Sequence, residues 1–135
     1  MAIQKQEFMV SEADGLNISV LTVLPEKEPY RAVVQLVHGM SEYKERYLPF
    51  MEYLADLGYV SVIHDHRGHG KSIRKKEDLG YMYGGGASAM LQDIDMVNRM
   101  IHLRFPGLKL VLFGHSMGSL AVRALPRSMT AGSIC

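Results

Sequence analysis

A chain of 135 residues, 47% hydrophobic and 21% charged, has the size and composition of one soluble globular domain with its own core, which excludes disorder throughout. Fifteen basic against 14 acidic residues leave a net charge of +1, too near neutral for the electrostatic footprint of a nucleic-acid binder. The opening residues hold no apolar core of signal-peptide length, and no stretch reaches the roughly 18 apolar residues of a transmembrane segment. The single cysteine, Cys135, has no internal partner, so a cytoplasmic location and no zinc site are expected. Ten methionines could form an adaptable lipid-facing surface, but are expected rather to fill irregular gaps in the core.

In chain order, Glu7–Val10 is expected to pair with Asn17–Leu24 as a hairpin through Asp14 and Gly15. The second of these strands sets Ile18, Val20 and Leu24 on one face and Leu21 and Val23 on the other, and ends at Pro25. Arg31–Val37 is β-branched and almost continuously apolar, as suits a strand covered on both faces in a parallel sheet; it ends at His38-Gly39. From Tyr47 onward, Phe50, Met51, Leu54 and Leu57 recur at helical spacing, with Pro49 in the first turn and Gly58 as the stop. Tyr59–Ile63 reads as a strand, and residues 65–86, rich in glycine and charge, as a long loop. Met90, Ile94, Val97 and Ile101 mark a second helix, from near Ser88 to Phe105-Pro106-Gly107. Lys109–Phe113 is the next strand, followed by a third short helical pattern that Pro126 should break. Residues 126–135 show no periodicity and are expected to form an irregular tail to a domain portion at 1–125. A hairpin followed by alternating strands and helices predicts an α/β fold with a mostly parallel sheet flanked by helices.

Directly after the last strand stands Gly114-His115-Ser116-Met117-Gly118. A serine between two glycines at a strand-to-helix turn is the pattern of a nucleophile elbow, where the hydroxyl is exposed on a strained turn. A Cβ at position 114 or 118 would collide with the neighbouring strand and helix. Ser116 is therefore the candidate nucleophile. Acyl transfer also needs two backbone N–H groups aimed at the developing oxyanion. One is expected from Met117, and the other from Met40 in His38-Gly39-Met40, which leaves the strand at 31–37. Such chemistry requires no cofactor and no metal. Residues 117–135 contain no His, Asp or Glu, the residue types that ordinarily activate a serine.

The loop His64-Asp65-His66-Arg67-Gly68-His69-Gly70-Lys71-Ser72 invites two other readings. Three histidines and an aspartate point to a metal, but their spacing sets no ligand pair on one helical face and Arg67 would repel a cation. Gly70-Lys71-Ser72 looks like the end of a phosphate-binding loop, yet the first glycine of that motif would fall at position 65, which is Asp65. The preferred expectation is a loop held by hydrogen bonds from Asp65 and Arg67, with Gly68 and Gly70 in tight turns. Gly84-Gly85-Gly86 reads as a flexible connector, His115 as packing or loop support, and His102 as a surface residue.

On three segments in this order, Val37-His38-Gly39-Met40-Ser41-Glu42, Asp65 to Ser72, and Gly114 to Ser119, the chain from about residue 7 to Leu125 resembles the N-terminal half of an α/β-hydrolase. The group it resembles is that of the monoacylglycerol lipases and lysophospholipases, also grouped with the serine aminopeptidase-like hydrolases. The resemblance implies Ser116 as nucleophile, Met40 and Met117 as oxyanion donors, and a small acyl-ester or lipid-like substrate. It also implies that the catalytic acid and histidine follow the nucleophile, in a second half of the fold. A truncated α/β-hydrolase fold is accordingly expected, weakly active or inactive alone, with the strand at 109–113 as an open edge prone to self-association. Because the elbow does not distinguish ester from amide, an amidase or peptidase stands beside the esterase, as does a non-catalytic half-domain that binds acyl groups or complements another polypeptide.

Overall fold

In the computed structural model, the described residues are 2–39, 42–81, 86–115, 118, 121 and 123. Strands β1 (Ile3–Val10) and β2 (Asn17–Leu24) form an antiparallel hairpin in which Val10 faces Asn17 and Ile3 faces Leu24. Three further strands, β3 (Ala32–Val37), β4 (Tyr59–His64) and β5 (Leu110–Gly114), run parallel to one another. The five join in the order β1-β2-β4-β3-β5, with β2 antiparallel to β4. The hairpin is longer than the sequence pattern predicts: Ile3–Gln6 is exposed and lacks the alternation of a half-buried strand, so its place rests on backbone pairing with β2.

Two helices cover opposite faces. α1 (Leu48–Asp56) sets Met51 and Ala55 against Leu21, Val23, Leu36 and Ile63. α2 (Gly86–Arg104) sets Met96, Val97, Met100 and Ile101 against Ile18, Val20, Val33, Val62 and Leu110. The division of β2 into two faces is the one its alternation predicts, and Met51, Met90, Met96 and Met100 all lie in the core. Gly58, at φ +93°, ends the α1 turn in a conformation that glycine adopts without strain. α2 begins two residues ahead of Ser88, and the loop after β4 contains one 3-10 turn at Lys76–Asp78. On the α2 face of β3, the buried Gln35 amide donates to the Ile94 carbonyl at 3.2 Å and accepts from Asn98 at 3.0 Å. A polar residue in an apolar run is thereby satisfied inside the core.

Gly118, Ala121 and Arg123 are helical, in the region of the expected third helix. The expected tail at 126–135 and the glycines at 84 and 85 lie outside the described residues, as do Met40, Ser116 and Met117.

Candidate active site

The carboxyl ends of β3 and β5 lie side by side, with Val37 opposite Gly114. In parallel sheets, ligands gather at the loops leaving such ends. The His115 N–H donates to the Val37 carbonyl at 3.1 Å, and the Gly118 N–H donates to the His115 carbonyl at 2.9 Å. A Cβ on Gly118 would lie 2.1 Å from the Val37 carbonyl oxygen and 2.7 Å from that of His38. Only glycine lets the chain lie so close to the end of β3. The expected nucleophile Ser116 and the expected oxyanion donors Met40 and Met117 fall outside the described residues, whereas His38, Gly39, Gly114, His115 and Gly118 beside them come together at one end of the sheet.

Behind this edge, two loops are locked by reciprocal histidine bonds. His38 Nε2 accepts the His66 N–H at 2.9 Å, so its proton sits on Nδ1, which donates to the Gly39 carbonyl at 2.7 Å. His66 Nε2 in turn donates to the His38 carbonyl at 2.9 Å. Burial holds both rings below the ordinary histidine range, His66 well below it. His64, fully buried at the end of β4, is pushed down to about 3 by burial. All three are neutral at pH 7, and they shape the loops rather than exchange protons.

The loop after β4 is held by charge. Asp65 Oδ1 accepts the Lys44 N–H at 2.8 Å, and Oδ2 accepts the Lys44 ammonium at 2.9 Å and the Lys71 N–H at 3.0 Å. Gly70, at φ +50°, leaves room for that carboxylate, which a Cβ would approach to 2.3 Å. Arg67 is fully buried, yet it donates to both oxygens of Asp14 at 2.9 Å, to Asp93 at 2.8 Å and to the Ser11 hydroxyl at 3.1 Å. Its guanidinium is held in the charged form first by its hydrogen bonds to Asp14, then by those to Asp93. Among the described residues, no group of three or more His, Cys, Asp or Glu side chains is arranged to hold a metal ion.

Glu42 ties together the segments that leave β3 and β5. One oxygen, Oε1, accepts the Gly39 N–H at 2.6 Å and the Tyr47 hydroxyl at 3.0 Å, and stands 3.3 Å from His115 Nδ1. Burial alone would raise this carboxyl, but the bonds from Gly39, Tyr47 and His115 outweigh it and hold it below the usual carboxylate range. Tyr47 is pushed up to about 12, by burial first and by Glu42 second. His115 itself is exposed and meets Tyr47 edge-on at 6.4 Å. A cleft of about 350 Å³ opens beside it, lined by Glu42, Arg46, Tyr47, Phe50, Phe113 and His115. A second groove of about 500 Å³ runs between Glu42-Tyr43 and the Gly68–Gly70 and Leu79-Gly80 segments. The larger hollow of about 530 Å³ lies at the opposite end of the sheet, near Tyr30 and Leu108, and contains none of the candidate residues.

Glu42, Lys44 and Asp93 carry this scaffold, and the motif reading assigned them no role of their own. Asp93 leaves a trace in sequence, since it shares the helical stripe of Met90, Ile94 and Val97, where a carboxylate requires a buried partner. Glu42 and Lys44 leave none, because their distant partners, His115 and Asp65, arrive from other loops.

The sheet order and the helices on its two faces define the class. A highly thermostable carboxyl esterase from Bacillus coagulans, solved in complex with glycerol, matches with a TM-score of 0.86 at 29% identity, over 98% of this chain and 44% of that one. The fold is that of an α/β-hydrolase. The sequence profile of the family described as serine aminopeptidase, S33, matches residues 28–130, and the chain belongs to this hydrolase family. Its curated relatives include a monoacylglycerol lipase of Mycolicibacterium smegmatis, 29% identical over 114 residues, covering 84% of this chain and 39% of the relative. The human monoglyceride lipase is 31% identical over 106 residues, covering 78% of this chain and 33% of the relative. The chain thus spans between a third and two-fifths of the length of these two relatives.

Proposed function

We propose that this chain carries the nucleophile and oxyanion hole of a carboxylic ester hydrolase that acts on lipid-like or small acyl esters. Ser116 Oγ attacks the ester carbonyl carbon, the Met40 and Met117 N–H groups stabilise the oxyanion, the alcohol departs with a proton, and water then releases the acyl group from the serine. The observation that carries this reading is the approach of Gly118 to the Val37 and His38 carbonyls. It brings the end of the glycine-flanked serine segment against the segment expected to supply the second oxyanion donor. Relatives named for monoacylglycerol and monoglyceride hydrolysis favour a glycerol ester as substrate. The buried histidines do not serve as the general base: both ring nitrogens of His38 are engaged, and burial disfavours protonation of His64 and His66.

A family described as aminopeptidase also favours amide cleavage as a second reading. A fluorophosphonate probe tests the common element. Labelling of the full chain that disappears in Ser116→Ala is expected, and comparison of a p-nitrophenyl ester with an aminoacyl p-nitroanilide then separates ester from amide. An unlabelled wild-type chain would instead favour the non-catalytic, acyl-binding half-domain.

A further inference from the structure

The loop that follows β4 carries a surface the hydrolytic chemistry does not use. Lys71, Arg74, Lys75 and Lys76 are all exposed, and the only acidic residues among positions 71–81 are Glu77 and Asp78. Beside these cations, Leu79 is 57% and Tyr81 56% exposed, and Tyr43, near Leu79 on the groove of about 500 Å³, is 48% exposed.

The loop backbone is firmly closed. The Gly80 N–H donates to the Gly68 carbonyl at 2.6 Å, the Gly68 N–H to the Ser72 carbonyl at 2.9 Å, and the Tyr81 N–H to the Asp78 carbonyl at 2.8 Å. The buried Ser72 hydroxyl donates to the Asp65 carbonyl at 2.7 Å and accepts the Ser19 N–H at 2.8 Å, pinning the loop to β2. A Cβ on Gly68 would stand 2.2 Å from the Tyr81 carbonyl oxygen, so glycine there is what lets the loop ends meet.

A row of lysines among the apolar groups argues against the core of a protein interface, where lysine is depleted. It fits an anionic lipid surface, in which leucine and tyrosine enter the headgroup boundary and the cations meet phosphates. The groove is lined by Tyr43, Leu79 and His69 at this patch and by Glu42, which holds Gly39. We infer that residues 71–81, together with Tyr43, dock this protein on an anionic membrane surface. Docking does not depend on Ser116 being reactive; if it is, the groove offers a lipid ester a path from the surface to the catalytic edge.

Sedimentation of the full chain with vesicles of phosphatidylcholine, alone or mixed with phosphatidylglycerol, tests the inference. Binding to the mixed vesicles that weakens with added salt is expected, with little binding to phosphatidylcholine alone. The pair Lys75→Glu and Lys76→Glu should lower the partition coefficient about tenfold or more, and the pair Leu79→Ser and Tyr81→Ser should lower it with unchanged circular dichroism. Absence of binding to mixed vesicles, equal binding to both kinds, or wild-type binding by the Leu79 and Tyr81 pair would overturn the inference. Fluorophosphonate labelling of the same variants reads the ester hydrolase proposal separately.

Discussion

An alanine at position 118 has no room for its methyl group. The nearest atoms, at 2.1 Å and 2.7 Å, are backbone oxygens of Val37 and His38, not side chains that can swing aside. Gly118→Ala is expected to cost about 1–3 kcal/mol in urea unfolding, as overpacking does. It should also slow labelling of Ser116 under conditions where the variant remains folded, because the shift parts the His115 segment from Val37. This glycine was legible in sequence because the pattern that demands it spans only five residues, Gly114 to Gly118. Glu42 was not legible in the same way: its bond to Gly39 is local, but its contact with His115 joins positions 73 apart. Asp93 and Ser11 are 82 apart and meet only once the sheet has formed. Residue types set the needs of a buried charge, while topology chooses the partner.

Elements with a single dominant periodicity are the most legible in sequence. α2 is the clearest, since Met90, Ile94, Val97 and Ile101 are all buried as their spacing predicts. Ile94 is wholly buried whereas Leu103, on the same helix, is 82% exposed. Ile94→Ala is expected to lower the unfolding free energy by about 2–5 kcal/mol, and Leu103→Ala to change it by no more than about 0.5 kcal/mol; chemical denaturation of both variants checks the contrast. β1 is legible only in its second half, because an exposed strand takes its place from ladder hydrogen bonds rather than from apolar alternation. The bounds of α2 and β5 shifted by one or two residues, as helix ends and strand starts do when no cap fixes them.

For the molecule as a whole, buried histidines set the response to acid. His38, His64 and His66 all have folded-state values below the ordinary 6.5, through burial. Below about pH 6.5 the unfolded chain takes up protons that the folded chain refuses, so stability is complete above that value and falls as the pH drops. For His64 the fall continues to about 3. Asp14, held low by its bonds to Arg67, and Glu42, held low by Gly39, Tyr47 and His115, act in the same direction further down: their contributions are present above the unfolded carboxylate values and vanish as the pH passes the folded ones. The unfolding free energy from urea titration is therefore expected to fall as the pH drops from about 6.5 to 5, by up to about 1.4 kcal/mol per pH unit for each histidine. A value flat across that range would contradict the assignment of these rings as neutral scaffolding.

The sheet order β1-β2-β4-β3-β5 has a consequence for a nascent chain emerging from the ribosome. The opening hairpin can zip as soon as it is made, but the strand synthesised next has no slot beside it and must wait for its successor to arrive between them. Assembly out of synthetic order leaves two greasy ribbons unpaired in the interim, the period when a holdase chaperone has most to offer.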